Sequence, residues 1–203
     1  MLACDFSNME REIQKIKNAD MVHMDVMDGN FVPNISFGSS IIKSLRPKSL
    51  LPFDTHLMID HPLKYIKSFA DAGSDIITFH IESKSDTLST INEIRKYNKK
   101  VGISLKPNTR PDVLIPFLDK IDLVLIMTVE PGFGGQKLME NQMEKSVFIK
   151  NNLQNKDLLI EVDGGINFDT IETVKKYPVD ICVSGTCIFG SSDVDKAIEK
   201  LKK

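Results

Sequence analysis

Short apolar runs alternate along the chain with longer segments in which charged and apolar residues recur at helical spacing. The runs fall at 21–27 (MVHMDVM), 53–59 (FDTHLMI), 75–81 (DIITFHI), 101–105 (VGISL), 122–129 (DLVLIMTV), 158–162 (LLIEV) and 180–185 (DICVSG). Such runs, rich in β-branched residues and bounded by turn residues, read as buried strands. Helix starts lie between them: Asp60 before Pro62, Ser85 before 86–97, and Asn167 before 168–177. Further helices are expected at 7–17 and 193–203. Strand and helix in unbroken alternation imply βαβ units and a parallel sheet.

Seven strand candidates against eight helix candidates, repeating at about 25 residues, fit the lower end of a (β/α)8 TIM barrel. The expectation is an α/β chain forming a single barrel domain over residues 1–203. Its first strand is truncated or abbreviated, because the chain opens on MLACDF and leaves about four residues for it. The connections after 21–27 and 122–129 are the long ones, DGNFVPNISFG and EPGFGGQKLM. In a barrel all such strand-to-helix loops emerge at one face, where active sites are built.

Composition narrows the partners. With 41% hydrophobic and 27% charged residues and a formal net charge of -2, the chain is an ordinary globular one and carries no basic footprint for nucleic acid or an acidic membrane. No apolar run approaches the ~20 residues of a membrane helix. The opening residues turn polar too early for a secretory leader, so a cytoplasmic location is expected. Cys4, Cys182 and Cys187 show no CxxC spacing and read as reduced, mostly buried thiols.

Side chains alternate along a strand, so His23, Asp25 and Met27 share one face, as do Asp54, His56 and Met58, and Glu161 with Asp163. If those faces line the barrel, His23, Asp25, His56 and Asp163 converge at strand ends. A lone strand histidine is more often a satisfied core residue than a ligand. Two imidazoles and two carboxylates together form a competent ligand set for one divalent cation such as Zn, Fe, Mn or Co. A metal would also make buried carboxylates tolerable. His80 ends a strand as well, with a role open between substrate contact and packing, and His61 before Pro62 reads as surface. Asp54 and Glu161 fall below the site, with Lys106, Thr78 and Ser104 as the candidates to neutralise them.

Three glycine-bearing loops follow the last three strands: 130–136, 163–167 and 184–190. Glycine lets backbone amides approach an anion, and barrel phosphates typically sit after strands seven and eight. Met27, Met58 and Met127 all end predicted strands, where ordinary core filling competes with an apolar floor that excludes water.

The segments HMDVMDGNFVPNISFG, THLM, MTVEPGFGGQ, EVDGGIN and VSGT resemble, in order and spacing, the ribulose-phosphate 3-epimerase family over nearly the whole chain. The resemblance implies a metal-dependent barrel that inverts carbon 3 of D-ribulose 5-phosphate, giving D-xylulose 5-phosphate through a metal-stabilised enediolate. It implies that His23, Asp25, His56 and Asp163 hold the metal, that Asp25 accepts the proton, and that Asp163 donates it. It places His56 also against substrate, with Gly132, Phe133, Gly134, Gly135, Gly164, Gly165, Gly185 and Thr186 at the substrate and phosphate positions. Met27, Met58 and Met127 match the methionines that cap the reacting carbons. The implied partner is a small sugar phosphate, and a homo-oligomer is expected because family members are often dimers or hexamers. The departure is at the start, where the family's fuller first strand and its substrate-contacting serine would precede residue 1. Two alternatives stay open: a D-allulose-6-phosphate 3-epimerase, and a non-catalytic phosphosugar-binding barrel.

Overall fold

A computed structural model describes residues 1–153 and 157–202. The seven expected strands form one parallel sheet in sequential order: β1 (Val22–Met27), β2 (Phe53–Met58), β3 (Ile76–His80), β4 (Lys100–Leu105), β5 (Leu123–Met127), β6 (Leu159–Asp163) and β7 (Ile181–Val183). Helices follow the strands in alternation, which is the (β/α) barrel the periodicity implies. The last, Val194–Lys202, matches the helix expected at 193–203, whose final residue lies outside the described residues.

No eighth strand is present among the described residues, and β7 does not pair with β1. Residues 1–4 form a turn closed by Cys4 N–H donating to Met1 O at 3.1 Å. The amino terminus still contacts the seam, because the Met1 amine donates to His23 O at 2.6 Å. Contrary to expectation, Cys182 on β7 is exposed rather than buried, since this strand lacks a neighbour on its far side; Cys4 and Cys187 are half-buried. All three are free thiols.

Strand alternation divides the molecule. Outward residues such as Val22, Met24, Phe53, Leu57, Phe79, Ile103 and Ile160 pack with the helices in the main core. Inward residues Ile76, Leu123 and Leu125, with Met21, Leu159 and Ile181 beside them, fill the lower barrel, and Met127 continues the cluster up to the level of Asp163. Polar inward residues therefore sit on an apolar floor.

Three helix starts differ from expectation. Asp86, not Ser85, caps helix Thr87–Lys96 by accepting from Ser89 N–H at 2.8 Å. Ser85 instead accepts from Leu63 N–H. Asn167 accepts from Asp169 and Thr170 N–H, capping a turn that precedes a single-turn helix, Ile171–Val174. Asp60 binds Lys84 rather than capping the 3-10 turn Pro62–Lys64. At Thr87 the neighbouring Asp86 was better placed to meet the orphan amides. Pro116 keeps the segment Pro111–Lys120 in a 3-10 form, because proline cannot supply an α-helical N–H.

Gly102 on β4 shows how tightly the polar layer is fitted. A Cβ there would run into the Thr78 side chain, which donates to Asp54 Oδ1 at 2.8 Å. Gly102→Ala is expected to cost roughly 1–3 kcal/mol by overpacking, read by urea denaturation. Combined with Thr78→Ala it should cost less than the two single changes summed, because the closest contact, to Thr78 Oγ1, is then removed; strict additivity would mean that the two positions do not compete for the same space.

Candidate metal and active site

Register brings the expected residues together. Asp25 pairs across the ladder with His56, and Asp163 ends β6. His23 Nε2 lies 3.3 Å from His56 Nδ1, 3.5 Å from Asp25 Oδ1 and 3.8 Å from Asp163 Oδ2. His56 Nδ1 is 3.9 Å from the same two carboxylate oxygens. Two ligands about 2.1 Å from a shared tetrahedral ion would be about 3.4 Å apart, so this spacing and this mixed nitrogen–oxygen donor set fit a divalent cation. The four ligand atoms lie within 4.8 Å of one another.

Hydrogen bonds to the backbone fix the strand ends that carry these groups. Ser36 Oγ donates to Asp25 O at 2.5 Å and accepts from Met27 N–H at 3.0 Å. Thr128 Oγ donates to the carbonyls of Asp163 and Gly164 at 2.9 and 2.6 Å. Neither had a readable signal in the sequence beyond being a hydroxyl in a loop. Leu2 N–H also reaches Asp25 Oδ2 at 3.3 Å, and the Met1 amine is 3.6 Å from that oxygen.

Below this set sits a second, fully buried group. His23 Nδ1 lies 2.7 Å from Asp54 Oδ2 and 3.5 Å from Glu161 Oε1. The first contact is close but off-axis for a hydrogen bond, leaving it chiefly electrostatic. Of the expected neutralisers, Thr78 does bind Asp54, Ser104 Oγ has no hydrogen-bond partner among the described residues, and Lys106 lies elsewhere, its ammonium 3.7 Å from the Phe31 ring centroid.

The charge states separate accordingly. Burial opposes ionisation of Asp25, yet His23, the amino terminus and His56 outweigh it and hold the carboxyl well below the usual range. Burial, with Asp25 and Asp54 nearby, pushes Asp163 up to about 6 against the pull of His23. Burial, then Asp54, pushes Glu161 up to about 8. Burial and the neighbouring His80 and His23 keep His56 well below its ordinary value. For His23 burial also opposes charge, but Asp25, Asp54 and Glu161 prevail and raise it.

A cavity of about 1010 Å³ opens above the cluster. Its lining includes Met27, Met58 and Met127, residues 132–135, Gly164, Gly165, Gly185 and Thr186, and it continues along the seam past Ile181 and Cys182. All three methionines are buried; Met27 and Met58 pack with Val32, while Met127, level with Asp163, packs in the apolar cluster of the barrel interior. The glycine loops meet one another: a Cβ on Gly134 would stand 3.6 Å from Thr186 Oγ. Gly165, at φ +72°, turns against the backbone of Leu138 where no side chain fits. Phe133 is exposed at the loop crest. Asn34 Nδ2 donates to Gly132 O at 2.7 Å, joining the two long loops. His80 stands behind His56, outside the ligand set, with its Nε2 2.9 Å from His56 Nε2. His61 is half-buried in a separate cleft of about 660 Å³.

Fold and cluster together define a parallel (β/α) barrel whose carboxy-terminal mouth can hold one cation beneath glycine-rich loops. Residues 1–189 match the sequence profile described as the ribulose-phosphate 3 epimerase family, and the chain belongs to that family. It is 42% identical over 207 residues to the ribulose-phosphate 3-epimerase of Bacillus subtilis (strain 168), covering all of this chain and 95% of that one. It is 39% identical over 209 residues to the cytoplasmic isoform from Oryza sativa subsp. japonica, covering all of this chain and 91% of the relative. Among solved structures, KGPDC from Streptococcus mutans superimposes with a TM-score of 0.66 at 14% identity, over 90% of this chain and 95% of that one. At that identity the likeness speaks for the fold alone. Among the described residues, no helix is long and apolar enough to cross a membrane.

The raised groups predict a pH slope for the metal-stripped protein. Glu161 and Asp163 keep protons that the unfolded chain releases near its ordinary carboxylate values, so folding stability falls as pH rises toward about 8 and about 6 respectively. His23, also raised, loses its contribution in the same direction. Denaturant unfolding is expected to show lower stability at pH 8 than at pH 6, by at most about 1.4 kcal/mol per pH unit for each such proton, and a flatter slope in Glu161→Gln. Stability that rises over this range would contradict the assignment.

Proposed function

We propose that the protein interconverts D-ribulose 5-phosphate and D-xylulose 5-phosphate by inverting carbon 3. The observation that carries this reading is the pair Asp25 and Asp163, offset in acidity and meeting at one ligand cluster from β1 and β6. Two carboxyl groups whose surroundings push their pKa values apart are suited to act as base and acid. Family membership and the printed names of the relatives support the substrate.

His23, Asp25, His56 and Asp163 would hold one divalent cation. When bound, it supplies Lewis-acid stabilisation of the charge that develops on the sugar oxygens once the carbon 3 proton leaves. Asp25 takes that proton from one face of carbon 3, which leaves the planar intermediate, and Asp163 gives a proton to the opposite face. His56 also contacts the sugar. Backbone amides of the loops at Gly132, Phe133, Gly134 and Gly135, at Gly164 and Gly165, and at Gly185 and Thr186 orient the substrate and receive its phosphate. Met27, Met58 and Met127 cap the reacting carbons and keep water from the intermediate. We place the enzyme in the cytoplasm, a reading supported by its free thiols and by the name of the rice relative.

The test is turnover of D-ribulose 5-phosphate by the purified protein, with metal analysis and activity before and after chelation. Chelation should abolish turnover and a divalent ion restore it. Asp25→Asn and Asp163→Asn should each lower kcat by about 10²–10⁴-fold while circular dichroism stays unchanged; near-normal turnover in either variant refutes the two-carboxylate scheme. In heavy water the carbon 3 hydrogen should exchange. Faster turnover of D-allulose 6-phosphate would shift the assignment to the six-carbon substrate, and ligand binding without exchange would mark a binding protein.

A further inference from the structure

We propose that His80 and Glu82 are positioning residues that fix which nitrogen of His56 carries its proton, keeping the other nitrogen's lone pair aimed into the ligand cluster. This rests on the cation reading above. A histidine binds a metal only through an unprotonated nitrogen, and its other nitrogen is normally held by a hydrogen-bond acceptor.

The direction of donation can be followed from one end. Glu82 Oε1 accepts from Lys106 N–H at 2.8 Å, a backbone donor that cannot reverse. Glu82 Oε2 lies 3.1 Å from His80 Nδ1. An ionised carboxylate only accepts, so His80 Nδ1 carries a hydrogen. In the neutral ring His80 Nε2 is then an acceptor, and it lies 2.9 Å from His56 Nε2. His56 Nε2 must donate, which leaves His56 Nδ1 bare. That bare nitrogen is the one facing His23 Nε2, Asp25 and Asp163.

His23 is held differently, with its Nδ1 in electrostatic contact with the Asp54 carboxylate and its Nε2 turned to the cluster. The two nitrogens turned to the cluster, His23 Nε2 and His56 Nδ1, lie 3.3 Å apart. The two imidazoles of the relay are sealed from solvent, while Glu82 is partly exposed. His56 and His80 are fully buried, and the Phe31 ring lies 4.7 Å from that of His80.

Glu82→Gln tests this with almost no change in shape. The Lys106 N–H requires an oxygen at Oε1, so the new amide would turn its NH₂ toward His80 Nδ1. That reverses every bond in the relay and puts a hydrogen on His56 Nδ1. Affinity of the metal-free protein for Co(II), read by competition with a chromophoric chelator, is expected to fall about 10- to 100-fold, with an altered Co(II) visible spectrum. Glu82→Asp, which keeps an acceptor, should retain most of the affinity. Wild-type affinity and spectrum in Glu82→Gln would overturn the proposal. Should Glu82→Gln fail to fold, His80→Phe removes the acceptor, and unchanged Co(II) affinity there would likewise overturn it. Failure of the wild-type protein itself to bind Co(II) would refute the cation reading. Nitrogen-15 shifts of the metal-free protein then decide the relay: His56 protonated at Nε2 in wild type and at Nδ1 in Glu82→Gln supports it, and the same tautomer in both overturns it.

Discussion

The contact on which the mouth of this barrel depends is that of one imidazole, His23, with carboxylates on both of its sides. Its Nδ1 meets Asp54 at 2.7 Å and its Nε2 looks toward Asp25 and Asp163 at 3.5 and 3.8 Å. Four acidic side chains, counting Glu161, crowd the base of the cavity, with Asp25, Asp54 and Glu161 buried and Asp163 half-buried. Each isolated buried carboxylate would cost several kcal/mol. The layer persists because charge is divided: Asp25 stays ionised beside the histidines, while burial drives Glu161 and Asp163 toward holding protons. A divalent ion at the upper cluster would extend the same logic, supplying positive charge where the imidazoles alone fall short.

The barrel makes this layer tolerable by segregating it. Outward strand positions carry the apolar contacts with the helices, and inward positions below the mouth are apolar as well. Polarity is confined to the upper inward rows of β1, β2, β3, β4 and β6, where sheet register sets His23 opposite Asp54 and Asp25 opposite His56. A one-residue slip of either strand would turn these side chains into the helix layer. Hydrophobic packing outside the barrel therefore determines electrostatic geometry inside it.

That division also explains what was legible in the sequence. Period-two alternation in VHMDVM and FDTHLM places His23, Asp25, Asp54 and His56 on one face with no further information, and the structure brings them together. Alternation says nothing of reach. It set Lys106 and Ser104 beside Thr78 as partners for the buried acids, and only Thr78 makes the contact. It put Cys182 in a buried strand without revealing that β7 would stand at an unpaired edge. Helix starts were misplaced by a residue or more wherever polar residues cluster, as at Ser85 and Asp86, because adjacent candidates compete for the same amides. His80 was visible as a strand-end histidine, but its role depends on Glu82, two residues beyond in a loop whose course is set by the Lys106 backbone.

The two histidines of the cluster differ in how they are oriented. His23 faces a carboxylate directly, from the adjacent strand β2, while His56 reaches one only through a second imidazole on β3. Distance around the barrel accounts for the difference. Asp54 and His56 point inward from one strand, so Asp54 can serve the ring on β1 but not the ring two positions along its own backbone. The acceptor for His56 must come from the other side, and β3 offers Thr78 and His80 as its inward residues there. Thr78 is already committed to Asp54. His80 is thus the inward β3 group free to pass polarity onward, and Glu82 terminates the chain at an acceptor whose orientation the β4 end enforces. Both imidazoles turn a nitrogen to the cluster, His23 backed by a carboxylate on β2 and His56 by an imidazole on β3, and the sheet order sets that asymmetry.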